Sequence, residues 1–250
     1  MREQIDTMPI HEAYESGDEC PFCWLERQAE QSAIRYTVGP CASYMEPDVR
    51  GVTDRKGFCR EHMKKMFDYG NALGNALMMQ TYYAGLLEEW EQEMQTFVRP
   101  AKRSIFRKKK PGGENKLLNW VKQRQNTCFL CQRMEYNLDR YFATFFVLIQ
   151  NPEFRELVEG GKGFCMRHFA QLLENAQEHL PNGQREWFLK TVPDLMLENM
   201  ARVKADLDWL VAKYDYRNAS KPWGNSKDAL PRAMQKLQGI YPTDEPYREK

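Results

Sequence analysis

The chain has 250 residues, 42% of them hydrophobic, with six Trp, twelve Tyr and thirteen Phe. That is enough apolar side chain for a sizeable core and too much for a disordered chain. A formal net charge of +1 with 28% charged residues excludes the global polarity that would point to nucleic acid or a membrane surface.

The first nineteen residues, MREQIDTMPIHEAYESGDE, are polar and mostly acidic and hold no apolar run that could serve as a secretory leader. A cytoplasmic location is the expectation. In that reducing compartment clustered cysteines bind metal or do redox chemistry more often than they form disulfides. Residues 1–98 carry 9 basic against 17 acidic side chains, whereas residues 99–113 carry seven basic and none acidic. The basic run RPAKRSIFRKKKPGG, punctuated by Pro100, Pro111, Gly112 and Gly113, reads as a solvated linker, with a phosphate-binding segment as the alternative. The expected segments are a first helical metal-binding repeat at 1–98, the linker at 99–113, a second repeat at 114–215 and a C-terminal arm with a short helix at 216–250.

Most of the chain carries helical signals. A helical pattern follows Cys59 to about Phe97, bent or broken near its glycines; within it Gly70 and Gly74 allow close helix approach, and Asn71 and Asn75 pack with their amides satisfied or line a polar pocket. The stretch YFATFFVLIQ at 141–150 is about half the length of a membrane-spanning helix, so no membrane is expected. Asn151-Pro152-Glu153 supplies an N-cap, a first-turn proline and an acid at the positive helix end. From Asp194 to Tyr214, residues Met196, Met200, Val203, Leu207, Leu210, Val211 and Tyr214 recur every three or four positions as one buried stripe. Trp223 and Gly224 form a turn before a helix that starts near Asp228-Ala-Leu-Pro231, in a segment that folds back through its aromatic groups or docks on another subunit. No alternating strands stand out, and the fold class is all-α.

An internal repeat organises the chain. CPFC at Cys20–Cys23 returns as CFLC at Cys128–Cys131, and KGFCREH, with Cys59 and His62, returns as KGFCMRH, with Cys165 and His168. Three thiolates and an imidazole satisfy a tetrahedral ion, and Cys and His three apart at a helix start share one face. Gly57 and Gly163 permit close backbone approach, Phe58 and Phe164 exclude water, and Lys56 and Lys162 offset the thiolate charge. We assign Cys20, Cys23, Cys59 and His62 to one ion, and Cys128, Cys131, Cys165 and His168 to the other. The exchanged pairing, with CPFC joined to the second Cys-x-x-His, fits the spacing almost as well, but closure within each half costs less chain entropy.

Two zinc ions per chain are expected, with iron–sulfur as the lesser alternative. Thiol redox explains a Cys-x-x-Cys pair but leaves Cys-x-x-His unexplained; buried inert cysteine explains one pair, not two matched quartets. A filled Cys3His shell has no open position for an activated water, so no catalytic residue is assigned. Cys41, His11 and His179 lack partner spacing and read as ordinary loop, packing or surface residues.

The motifs MPIHEAY, CPFCWLE, KGFCREH, GNALGNALMMQT, NPEFR, KGFCMRH and PWGNSKDALPRAMQKL together resemble an uncharacterised bacterial family, a domain of unknown function built on paired Cys-x-x-Cys and Gly-Phe-Cys-x-x-His motifs. The resemblance covers nearly the whole chain. It implies a bacterial, anaerobe-associated source and brings no established activity. Members are sometimes labelled ABC-transporter substrate-binding proteins, which no lipid-attachment cysteine or two-lobed α/β pattern supports here. The expected function is zinc-stabilised binding of a protein partner. A thiol-redox or soft-metal sensor on the same cysteines is the alternative, and nucleic-acid binding through the basic run the third.

Overall fold

The computed structural model describes residues 6–40, 43–97, 116–239 and 242. Cys41 and the basic run lie outside the described residues. Among them every regular element is helical: α1 (Thr7–Glu15), α2 (Pro21–Val38), α3 (Pro47–Lys56), α4 (Arg60–Tyr69), α5 (Ala72–Thr96), α6 (Lys116–Gln125), α7 (Phe129–Leu148), α8 (Pro152–Glu159), α9 (Met166–His179), α10 (Asn182–Ala212) and α11 (Ala229–Gln238), with three short 3-10 turns. No helix of the described residues is long and apolar enough to cross a membrane.

Two compact units divide these elements. One holds residues up to 29 and from 135 onward, the other residues 30–134. Each therefore draws on both sequence halves, unlike the expected division at the basic run. The apolar stretch at 141–150 supplies the reason. It is the C-terminal half of α7, where Phe142, Phe145, Phe146, Leu148 and Ile149 are buried. Phe22 of CPFC stacks on Phe142 at 4.6 Å and meets Phe145 edge-on at 5.5 Å. Burying such a side chain contributes about 1.5–3 kcal/mol. Lengthening a chain closure by one or two doublings costs only about 1 kcal/mol. Aromatic burial wins, and CPFC joins the second half of the chain.

The second unit has a smaller core around Ile34, Val38, Phe58, Met66, Tyr69, Met78 and Leu130. Its long helical pattern is broken where α4 ends at Gly70, and Asn71 caps α5 by accepting from the Gly74 amide at 2.9 Å. Asn71 also donates to the Val38 carbonyl at 2.7 Å, and Asn75 to the Met66 and Asn71 carbonyls at 2.9 Å each. These amides serve the backbone, so no pocket is built from them.

Asn151 and Pro152 start α8 as expected, with the Asn151 side chain accepting from the Glu153 amide at 3.0 Å. The stripe on α10 departs from expectation at its end. Met196 and Val203 are buried, but Val211 and Tyr214 are exposed, because the helix end is covered on another side, where Lys213 is buried and donates to the Asn218, Ala219 and Lys221 carbonyls. The C-terminal segment does fold back, onto α9 and α10; Trp223, 38% exposed, takes part with the Lys213 ammonium 4.9 Å from its ring, but the apolar face of α11 does not. Instead α11 buries its polar face: Arg232, Gln235 and Lys236 point inward, while Leu230, Met234 and Leu237 face out. The surface that α11 meets is ionic. Gln235 donates to Asp18, and Lys236 donates to the Glu19 carbonyl at 2.5 Å.

If Phe22 anchors the exchanged arrangement, Phe22→Ala lowers unfolding free energy by about 3–5 kcal/mol in denaturant titration. Phe67→Ala, at a position 77% exposed, changes it by less than about 0.5 kcal/mol.

Candidate metal centres

Both Cys-x-x-Cys pairs lie at the start of a long helix, and both Cys-x-x-His pairs straddle the next helix start but one. Cys59 and Cys165 are the N-cap residues of α4 and α9. The glycine two residues before each has φ of 63° or 74°, the left-handed region where a side chain is strained. A Cβ on Gly57 would also stand 2.7 Å from the Tyr82 hydroxyl, and one on Gly163 would stand 3.3 Å from Met196 Sδ. The Gly-Phe-Cys turn thus needs glycine twice over. Phe58 and Phe164 are both buried.

All eight expected ligands assemble into two quartets, but the pairing corrects the sequence-based assignment. Cys20, Cys23, Cys165 and His168 form one group; Cys59, His62, Cys128 and Cys131 form the other. In the first, the Sγ atoms of Cys20, Cys23 and Cys165 lie 3.4, 3.5 and 3.3 Å from His168 Nδ1. In the second, those of Cys59, Cys128 and Cys131 lie 3.2, 3.4 and 3.3 Å from His62 Nδ1. The second pairing is also fixed by the main chain, since the Phe129 amide donates to the Gly57 carbonyl at 2.9 Å. Pro21 stands at the matching position of CPFC and has no such donor.

Each imidazole turns its other nitrogen to a carboxylate on α2. His62 Nε2 lies 3.2 Å from Glu30 Oε1, which also accepts from Lys65 Nζ at 2.6 Å. His168 Nε2 lies 3.7 Å from Glu26 Oε2, a carboxylate paired with Arg167. The Glu30 contact fixes the His62 tautomer that leaves Nδ1 free to ligate, whereas His168 Nε2 is met first by Arg167 Nη2 at 3.2 Å. Sequence reasoning missed both acids; Glu26 follows Cys23 by three residues, a spacing that could have exposed it, whereas nothing in the sequence links Glu30 to His62. The expected role of Lys162 is also corrected, because its ammonium donates to the Gly17 carbonyl. The cations that act on the first quartet are Arg167 and Lys236.

Without an ion these groups share protons. Burial pulls the His62 imidazole down, but Cys128 and Glu30 outweigh it and carry its pKa up to about 10. His168, likewise opposed by burial, is carried up to about 9 by Cys165 and Cys20. Burial raises the Cys128 thiol, yet the His62 bond brings it down to about 6. Cys165 is lowered by bonds from Cys20 and Cys23, and Cys23 is raised by its bonds to Cys165 and Cys20.

The quartets differ in cover. All four ligands of the first are buried, whereas Cys59 and Cys131 are half-buried. Over the first lies the end of α11: a Cβ on Gly239 would stand 3.4 Å from both Cys23 Sγ and Cys165 Sγ.

The fold and these groups define an all-helical protein with two Cys3His clusters that could each hold a metal ion. The chain belongs to a family of unknown function (DUF6062), whose model matches residues 1–244. It is 24% identical over 202 residues, 80% of this chain and 85% of the relative, to the "Uncharacterized 23.9 kDa protein in xynA 3'region" of Caldicellulosiruptor sp. (strain Rt8B.4). No solved structure matches.

Double substitutions test the pairing by metal content per chain. Cys59→Ser with Cys128→Ser strikes one quartet and removes one ion, while Cys20→Ser with Cys59→Ser strikes both and removes two; within-half pairing reverses these results. Metal uptake by chelator-stripped protein also releases protons and tightens as pH rises from 6 to 8, because imidazolium and thiols must lose protons to ligate. An indicator dye in weak buffer reads that release.

Proposed function

We propose that the chain is a cytoplasmic, bacterial zinc protein in which two structural Cys3His sites hold a helical scaffold that binds a protein partner. The observation that carries the metal reading is the convergence of three sulfurs on one imidazole nitrogen, twice. A tetrahedral zinc ion with Zn–S of about 2.3 Å and Zn–N of about 2.0 Å sets S···N near about 3.5 Å and S···S near about 3.8 Å. The S···N distances here run from 3.2 to 3.5 Å, and Cys59 Sγ lies 3.8 Å from Cys131 Sγ. Four protein donors leave no position for a reacting water, which favours a structural role. The order of helices α1–α5 and α6–α10, each with its Cys-x-x-Cys and Cys-x-x-His at the same places, supports a duplicated helical unit. The exposed stripe of Leu230, Met234 and Leu237 on α11 supports a protein partner.

A second reading, metal exchange or thiol sensing, is favoured at the 59/62/128/131 quartet alone. Its two half-buried thiols, Cys59 and Cys131, are the pair 3.8 Å apart. Peroxide can take two electrons from them as a disulfide forms and be reduced to water.

Mass spectrometry of untagged protein purified without chelators should find two zinc ions per chain, with no visible absorption; iron with colour, or little metal, overturns the zinc assignment. Under a chromogenic chelator and mild peroxide, one ion should leave in a fast phase and the other only on unfolding. A single common rate would leave the scaffold reading alone.

A further inference from the structure

The unit that contains residues 135 onward also carries a cleft of about 690 Å³, within the size range of small-molecule sites. Its walls are α10 between Leu195 and Arg202, the turn after α8, and the segment from Gly224 to Arg232. The last of these belongs to PWGNSKDALPRAMQKL, which the metal sites do not explain.

An ionic cluster lies at the cleft. Glu19 is 2% exposed; its Oε2 accepts from Arg202 Nη2 at 2.5 Å and lies 3.4 Å from Lys236 Nζ. Its Oε1 is buried with no hydrogen-bond partner, 3.7 Å from Arg232 Nη1. Arg202 is held from a second side, its Nε donating to Asn199 Oδ1 at 3.0 Å. Asn199 in turn donates to the Leu195 carbonyl at 3.0 Å. Taking such charges out of water costs several kcal/mol per ion, and apolar packing would serve stability as well or better. Charges kept at that cost, converging on a cleft, mark a functional site.

The lining also selects the ligand. Lys162, Arg202, Lys227 and Arg232 are balanced by Glu19, Glu159, Glu198 and Asp228, and Leu195 is the one large apolar side chain. A polyanion or an apolar ligand would leave half of this surface unmatched. Arg232 is spent on Asp206, Asp228 and the Asn225 carbonyl. Arg202 is paired with Glu19 through Nη2, and among the described residues its Nη1 makes no hydrogen bond. Lys162 donates to the Gly17 carbonyl and Glu159 accepts from Trp187 Nε1 at 2.9 Å, whereas the side chains of Lys227 and Glu198 have neither ion pair nor hydrogen bond among the described residues. The uncommitted charges are therefore one cation, Lys227, and one acid, Glu198, with Arg202 Nη1 as a further open donor at the cleft. We propose that this cleft binds a small zwitterion, a free amino acid or a short peptide with free ends, its carboxylate on Arg202 and Lys227 and its ammonium on Glu198.

Calorimetry and thermal shift on the full metal-loaded chain test this with L-amino acids and dipeptides. The controls are the N-acetylated and C-amidated forms of any binder, and inorganic phosphate. At least one zwitterion should bind saturably. Removing either end group should weaken it by about tenfold or more, and phosphate should not compete. Lys227→Ala and Glu198→Gln, both at exposed positions, should each weaken binding by about fivefold or more, and Arg202→Gln by more. Should Arg202→Gln misfold, the two exposed variants decide. No saturable binding across the panel, equal binding of blocked forms, or tighter binding of phosphate would each overturn the proposal, and none of these bears on the zinc count.

Discussion

Three sulfurs held 3.2–3.5 Å from one imidazole nitrogen are a demand that few arrangements can meet. Buried thiols and a buried imidazole need charge compensation, and protons alone leave a strained exchange of thiolate, thiol and imidazolium. One divalent ion removes the conflict for all four groups. The apparent binding free energy of structural zinc, about 10–16 kcal/mol, equals or exceeds the stability of a typical domain, about 5–15 kcal/mol. The helix starts at Arg60, Met166 and Phe129, the glycines before the first two and the Glu30 carboxylate behind His62 can all be read as means of bringing four donors to one point.

The inverted helix α11 follows from the same demand. An ion with three thiolates carries a net negative charge, and Asp18 and Glu19 lie immediately before Cys20. Arg27 holds Asp18 and Arg202 holds Glu19, and a helix with its apolar face inward would have withdrawn their remaining partners. Instead Arg232, Gln235 and Lys236 turn inward, add partners to Asp18 and Glu19 while Glu19 Oε1 stays unbonded, and leave the apolar residues outside. Glu19 and Arg232 also line the neighbouring cleft, so the Cys3His quartet, its cover and the cleft share charged residues within that unit.

The eight Cys and His residues of the quartets, the helical class, the cap at Asn151 and the glycines of Gly-Phe-Cys were legible in the sequence, because each rests on local spacing or local backbone chemistry. The pairing was not. Chain entropy favours the nearer partner only weakly, and the decision falls to the contact of Phe22 with Phe142 and Phe145, residues far apart in sequence. Lys236 as a buried cation was equally hidden, since periodicity on α11 points its apolar face inward. Glu30 is four residues beyond Glu26 on one helix, yet it serves the other quartet; no spacing rule contains that information.

The two quartets are chemically alike and physically unequal. The buried one belongs to the larger core, with seven phenylalanines and leucines supplied by α7 and its neighbours at Leu138, Phe142, Phe145, Phe146, Leu148, Phe154 and Phe188. The half-exposed one belongs to the unit whose buried cluster is smaller. Water and solutes reach the thiols of the second more readily, and the apolar burial that could hold its helices without an ion is less. An ion in that quartet would be the easier to lose, and with the thin core its loss would be the more consequential for structure. A chain that used both ions only for rigidity would gain from covering both, as α11 covers one. With Cys59 and Cys131 only half-buried, an ion in that quartet would tie the order of its unit to the supply of metal and to the oxidation state of those two thiols.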